Sequence, residues 1–166
     1  RAAQGLPRAV PLSTLRDVSL PDTAASPMRF GSLGLAADVA ARRPSSRDGS
    51  LVFADVAPET DLVLRAVEGG VEELRVLYGE RAPRTFRWTV DHGRVRVVGG
   101  RIELHDAEGA LRVTAAAPWA IDAEGVRRDL TVHVQGDALV AELDTAGLHY
   151  PVVVDPVWLT VVSTLP

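Results

Sequence analysis

The chain has 166 residues, of which 46% are hydrophobic and 24% charged, and its formal net charge is −4. A chain of this length can bury about 70% of the surface that its unfolded form exposes, so it can support a core of its own. Its 14 glycines and 11 prolines are too few for a low-complexity chain, and its charge is too small for disorder by self-repulsion. These figures exclude collagen, a coiled coil and wholesale disorder.

Several chemistries are excluded by residue types that the chain lacks. It has no cysteine, which excludes disulfides, thiolate metal sites and cysteine nucleophiles. All 18 basic residues are arginine, so there is no lysine for a Schiff base or a phosphate-binding loop. A sequence pI of about 5.5, with no arginine cluster longer than a pair, gives no support to nucleic-acid binding. No apolar run approaches the roughly 18 residues of a membrane span, so membrane insertion is not expected.

The first part of the chain is rich in proline. Residues 1–27 carry four prolines and show neither a helical nor a strand-like apolar period. Because proline cannot donate to a sheet ladder, this stretch is predicted to be an extended N-terminal arm, ordered where it lies on the body. The stretch from Leu33 to Arg43 fits a short helix and an irregular strand equally well, and both interpretations stay open. Residues 42–49 are predicted to be a polar loop that closes on a turn at Asp48-Gly49.

From Ser50 onward, glycine and aspartate turns separate short runs in which apolar and polar residues alternate. Phe86, Trp88 and Val90, for example, are predicted to face inward while the residues between them face outward. Such alternation is typical of antiparallel strands that pack on one side. Strands are predicted at 51–56, 61–68, 71–78, 84–90, 94–98, 101–105, 110–116, 126–134, 138–144 and 150–155. The predicted fold class is all-β, an antiparallel β-sandwich-like module of about ten short strands.

The sequence contains no recognisable catalytic constellation. The surroundings of Ser32, Gly-Ser-Leu-Gly, do not match a nucleophile elbow, and none of the four histidines has a metal-ligating partner nearby in the sequence. Glu72 and Glu73 are adjacent in one predicted strand, so their side chains should face opposite sides and could not act together on a glycosidic bond. We therefore expect a non-catalytic protein that uses no cofactor.

Two groups of residues are candidates for ligand binding. Asp55, Glu59 and Asp61 are close in sequence and could offer oxygen ligands to calcium, although the interpretation that they cap a tight strand connection is favoured. Trp119 and Trp158 are candidates for stacking on a carbohydrate, since Trp88 is predicted to be a core residue.

The most specific segment is Tyr150 to Trp158, in which three valines are bracketed by Pro151 and Pro156. Three consecutive β-branched apolar residues predict a strand that is covered on both faces and lies inside a sheet. Because Pro156 removes a backbone donor, the ladder is predicted to end there. Residues 157–166 are then expected to leave the domain body, with 159–166 as an exit strand or a linker to a following domain.

Three segments carry a resemblance to a known family: 53–64 (FADVAPETDLVL), 70–74 (GVEEL) and 150–158 (YPVVVDPVW). They resemble a β-rich module near the N-terminus of very large secreted or surface bacterial proteins, of the myxobacterial type. In those proteins the module precedes Kelch-like or other β-propeller repeats, or Rhs/YD-type repeats. The resemblance covers about residues 28–158, and the chain departs from the family pattern at Phe53, Ala57 and Glu59.

The resemblance implies an exported, non-catalytic structural or interaction module that caps a β-repeat array or leads into one. Its partners would be neighbouring domains of the same polypeptide or other protein subunits, and its location would be secreted or at the cell surface. The chain would divide into an arm at 1–27, a β-rich module at 28–158 and an exit segment at 159–166. The alternatives are a carbohydrate- or calcium-binding β-sandwich module and a shell segment of an Rhs-type toxin.

Overall fold

A computed structural model of the protein describes residues 7–161. This part of the chain forms 17 β-strands and one short 3-10 helix, Leu12–Thr14. Within it, no helix has the length and apolar character needed to cross a membrane. The prediction of an all-β, antiparallel, sandwich-like fold is confirmed.

The strands are, in chain order, β1 (Val18–Ser19), β2 (Met28–Phe30), β3 (Leu33–Ala37), β4 (Ser45–Arg47), β5 (Ser50–Ala57), β6 (Thr60–Val67), β7 (Gly70–Leu77), β8 (Thr85–Asp91), β9 (Gly93–Val98), β10 (Arg101–Asp106), β11 (Leu111–Ala116), β12 (Trp119–Ile121), β13 (Arg127–Asp129), β14 (Thr131–Gln135), β15 (Ala138–Glu142), β16 (Val152–Asp155) and β17 (Val157–Thr160).

The strands form two antiparallel sheets that share one apolar core. The smaller sheet has the order β1-β2-β3-β8-β15-β14. The larger sheet has the order β13-β12-β16-β7-β17-β11-β10-β9, and β6, β5 and β4 extend it from the other edge of β7. The predicted inward face of β8 is confirmed, because Phe86, Trp88 and Val90 are all buried in this core.

The two strands at 152–160, here called the closing segment, run side by side with β7 in a single register. Val152 lies opposite Leu77, and Leu159 lies opposite Gly70, so no residue is gained or lost on passing Pro156. On its other edge the closing segment pairs with β12 and β11. The prediction that the valine run lies inside a sheet is confirmed.

The prediction that the ladder ends at Pro156 is wrong. The backbone N–H of Glu73 donates to the carbonyl oxygen of Pro156 at 3.0 Å, a bond for which proline needs no N–H of its own. Val157–Thr160 therefore stays in the sheet as β17 instead of leaving the body. Residues 162–166 of the predicted exit segment lie outside the described residues.

The structure decides one open alternative of the sequence prediction and changes two boundaries. The stretch that fitted a helix or a strand contains β3, and the predicted loop at 42–49 contains β4, whose side chains are all exposed and so show no alternation. The single strand predicted at 126–134 is two strands, because buried Leu130 carries the chain from β13 in the larger sheet to β14 in the smaller one.

The described part of the N-terminal arm lies against the body. Val18–Ser19 pairs with β2 at the edge of the smaller sheet, and Ala9 forms an antiparallel bridge with Val67. These contacts use backbone groups, which explains why the sequence shows no apolar period there. Residues 1–6 of the predicted arm lie outside the described residues.

The two turns with the sequence DAEG have the same hydrogen-bond pattern. In each, the carboxylate of the first residue, Asp106 or Asp122, accepts bonds from the backbone N–H groups two and four residues further on, at 2.8 to 3.1 Å. The Arg112 side chain holds the pKa of Asp106 below its usual value, and the backbone N–H of His149 does the same for Asp122. The turns close the β10–β11 and β12–β13 hairpins.

Candidate functional site

The three segments that carry the resemblance come together in the larger sheet. They form β5, β6, β7 and the closing segment, which are neighbouring strands. In the middle of β7, Glu72 and Glu73 are only 0% and 3% exposed. They face opposite sides of the sheet, as predicted, because Glu73 bonds to core tryptophans while Glu72 bonds to Arg65 on β6. We call Glu72, Glu73 and the side chains that contact them the junction. Because it contains two adjacent buried carboxyl groups, the junction is the candidate functional site.

Glu73 faces the core and binds three side chains there. Arg75 donates to its Oε1 at 3.1 Å, and Trp88 Nε1 donates to both carboxylate oxygens at 3.0 Å. Trp158 Nε1 donates to Oε2 at 2.9 Å. The two indoles meet edge to face, with ring centroids 5.7 Å apart. The Arg75 guanidinium lies over the rings of Trp88 and Phe86, at 5.0 and 5.3 Å from their centroids.

This arrangement pairs a buried charge with a buried counter-charge and supplies further donors. An unpaired carboxylate between two sheets would be strongly destabilising, whereas one that has both a guanidinium and two indole N–H groups is satisfied. Because Trp88 belongs to the smaller sheet and Trp158 to the closing segment, Glu73 joins three parts of the fold. The inner half of the junction therefore stabilises the contact between the sheets.

On the outer face, Glu72 accepts a hydrogen bond from Arg65. The register of the closing segment, with Val154 opposite Arg75 and Val157 opposite Glu72, places Asp155 diagonally across from Glu72 on this face. Glu72 Oε1 and Asp155 Oδ1 are both buried, and neither has a hydrogen-bond partner among residues 7–161. Burial, followed by the neighbouring charge of Glu72, raises the pKa of Asp155 to about 7. The hydrogen bond to Glu72 raises the pKa of Arg65.

The two tryptophans predicted to stack on a carbohydrate have other partners. Trp158 is 0% exposed, so its assignment to a stacking surface is wrong. Trp119 is half-buried, and the guanidinium of Arg127 lies 4.5 Å from its ring centroid. A cation at this distance is attracted to the ring and covers that face of the indole. Trp158 therefore offers no ring face to a ligand, and one face of Trp119 is already covered by Arg127.

Asp55, Glu59 and Asp61 are linked by hydrogen bonds at the turn between β5 and β6 and its neighbours. Asp61 accepts bonds from the Asp55 backbone N–H and the Tyr78 hydroxyl, both at 2.9 Å. Glu59 accepts from the backbone N–H and guanidinium of Arg81 at 3.0 and 3.1 Å, and the backbone bond in particular lowers the pKa of Glu59. Across residues 7–161, no group of three histidine, aspartate or glutamate side chains is placed to hold a metal ion. The favoured interpretation, a capped strand connection, fits this geometry.

A groove of about 590 Å³ lies at the end of the closing segment. Its charged side chains are exposed, and one of them, Arg112, is bound to Asp106 at 2.6 Å. The groove is lined by Arg16, Asp17, Phe30, Gly31, Ser32, Arg112, Thr160 and Val161. None of these described lining residues is a buried polar side chain, and the junction at β7 remains the more specific feature.

Sequence reasoning missed Arg65, Arg75 and Asp155 as members of the junction. The sequence of β7 did contain one indication of a buried ion pair. Glu73 and Arg75 occupy inward-facing positions, which carry apolar residues in the other strands. Opposite charges two residues apart on an inward strand face indicate a buried ion pair. Asp155 and Arg65 gave no comparable signal, because their contacts depend on strand pairings that are distant in sequence.

The close approach of the closing segment to β7 can be tested at Gly70. A Cβ at this position would lie 1.9 Å from the carbonyl oxygen of Trp158, a backbone atom that moves only with its strand. We expect Gly70→Ala to lower the free energy of unfolding by about 1–3 kcal/mol, as overpacking does. In the control Gly79→Ala, the Cβ meets the carboxylate of Glu59, a side-chain end that can shift by giving up its exposed bonds to Arg81, so a smaller loss is expected. Urea midpoints measure both, and equal midpoints would contradict the tight packing.

Comparison with known proteins adds no family assignment to these observations. No protein-family model matches the chain, and neither the curated proteins nor the solved structures give a significant match.

Proposed function

We propose that the chain is a non-catalytic structural and interaction module of a large extracellular bacterial protein, which caps a β-repeat array or leads into one. The observation that carries the proposal is the junction at β7. The three segments that resemble such modules are neighbouring strands, and Glu72 and Glu73 bind residues of these strands on both faces of the sheet. The resemblance thus concentrates on contacts that stabilise the fold.

The edges of the larger sheet support a capping role. An exposed edge pairs with any strand that is offered, and proteins prevent this with short strands and charged side chains. The edge strands β4 and β13 have three residues each, and β13 carries exposed Arg127 and Asp129. At the other end, β9 exposes Arg94 and Arg96. Such edges do not favour further strand addition, which suits a unit that terminates a repeat array.

The two variants of this proposal differ in the array that accompanies the module. A Kelch-like or propeller array would make it a cap of an adhesive or structural surface protein. A YD-type array would make it a shell segment of an Rhs-type toxin. The carbohydrate- or calcium-binding alternative is not favoured by any observation, because Trp158 is buried and Asp61 and Glu59 are bound to protein donors.

The test uses the protein as the source bacterium makes it. An antibody raised against this chain is applied to culture supernatant, intact cells and cytosol, with a cytosolic enzyme as the fractionation control. We expect the signal in the supernatant or on intact cells, in a polypeptide far larger than 17.7 kDa. Mass spectrometry of that band should yield β-repeat peptides, and their type distinguishes the two variants. A cytosolic band of about 17.7 kDa would overturn the proposal.

A further inference from the structure

The outer half of the junction contains two buried carboxyl groups that cannot both be charged at low cost. Glu72 and Asp155 are 0% and 4% exposed, and the register of the closing segment with β7 places them diagonally across from each other on the same sheet face. Each has one buried oxygen without a partner in the described part of the chain. Two carboxylates in contact repel each other, whereas a single proton between them turns two unsatisfied acceptors into one hydrogen bond.

The charged groups around this pair come from two strands. On β6, Arg65 binds Glu72 directly. On β13, Arg127 acts on Asp155 from beyond the ring of Trp119, and exposed Asp129 is paired with Arg127. On the face that carries the pair, the nearest residues of its own strands are Leu74, Val153 and Val157, none of which is charged. The positive charge of Arg65 therefore neutralises the negative charge of one carboxylate. The other carboxyl group is neutral only when it carries a proton.

We infer that Glu72 and Asp155 hold one proton between them, and that this proton stabilises the pairing of the closing segment with β7 until rising pH releases it to solvent. The proposed site binds a proton and not a metal ion, since Arg65 already supplies a positive charge there. This proton would affect the stability of the fold whatever the location and partners of the module are.

The pKa of Asp155 gives the sign of the effect. Its value is raised from 3.8 in the unfolded chain to about 7 in the folded one. The folded state then holds a proton that the unfolded state has lost, so the stabilisation is complete below about pH 4 and disappears as the pH rises through 7. Between these limits, the unfolding equilibrium constant should rise by about tenfold per pH unit from this group alone.

The experiment compares urea unfolding of the wild type and Asp155→Asn from about pH 5 to pH 8.5. An amide carries no charge and can donate to Glu72, so the variant should lack this contribution to the pH slope. Histidines titrate in the same range, and the difference between the two proteins removes their contribution. The matched control is Asp129→Asn, an exposed carboxyl on the same sheet face, which should keep the wild-type slope. Parallel profiles for wild type and Asp155→Asn would overturn the inference.

A second readout requires only the wild-type protein, in case Asp155→Asn fails to fold. The carboxyl carbon of Asp155, followed by NMR, should titrate with a midpoint near pH 7 in the folded protein. A carbon shift that stays constant from pH 5 to pH 9 would overturn the inference. Millimolar calcium added to the wild type at pH 8.5 should leave the urea midpoint unchanged. A calcium-dependent rise that Asp155→Asn abolishes would show a cation site and would equally overturn it.

Discussion

Replacing Trp158 by alanine should lower the free energy of unfolding by about 3–5 kcal/mol, the cost of truncating a large aromatic side chain in a packed core. Trp158 is 0% exposed, meets Trp88 edge to face, and donates its indole N–H to Glu73 at 2.9 Å. The variant loses all three contributions at once, because the cavity, the aromatic contact and the buried donor belong to one side chain. Urea unfolding followed by circular dichroism measures the change.

The neighbouring residue provides the control. Leu159 is 40% exposed on the opposite face of the same strand, so Leu159→Ala should cost less than about 1 kcal/mol. The pair separates the loss of a core contact from a general weakening of β17. If both variants shifted the midpoint equally, Trp158 would not be the residue that anchors the closing segment in the core.

Strands with one buried face were predictable from the sequence. In β8, apolar residues alternate with polar ones because a strand points successive side chains to opposite faces and only one face meets the core. The same rule fails for β12, whose three residues Trp119–Ile121 are too few to show a period. It also fails for β4, where no side chain is buried and backbone pairing alone defines the strand.

The position of Pro156 shows why a local rule can give a wrong boundary. A proline removes one donor from a ladder, and the sequence alone suggested that the strand would end there. In the fold, the residue opposite is Glu73, whose N–H still donates to the proline carbonyl, and the flanking residues keep their register. One missing donor is outweighed by the pairs on both sides, which could only be known once β7 was identified as the partner.

The candidate site was predictable only in part. The opposite orientation of Glu72 and Glu73 follows from the strand period. Their partners do not, because Arg65, Trp88 and Asp155 are brought to β7 by pairings between strands and between sheets. An acidic dipeptide in a strand usually indicates at least one solvated side chain. Here both side chains are buried, because each is hydrogen-bonded to a side chain from another strand.

Glu73→Leu should be among the most damaging single substitutions, at a cost of about 3–5 kcal/mol, because it leaves the Arg75 charge buried without its partner. Arg75→Met should cost less, since Glu73 keeps the two indole donors of Trp88 and Trp158. Exposed Glu80 is the control, and Glu80→Leu should change stability by no more than about 0.5 kcal/mol.

The double variant Glu73→Leu/Arg75→Met distinguishes an ion pair from two independent contributions. It removes both charges, so it should be more stable than Glu73→Leu alone, although two indole N–H groups then lack an acceptor at about 1–3 kcal/mol each. The double-mutant cycle, measured by urea unfolding, should therefore give a favourable coupling energy larger than about 1 kcal/mol. Additive effects would mean that Glu73 is held by the tryptophans alone. In that case the guanidinium would serve mainly as packing over the rings of Trp88 and Phe86.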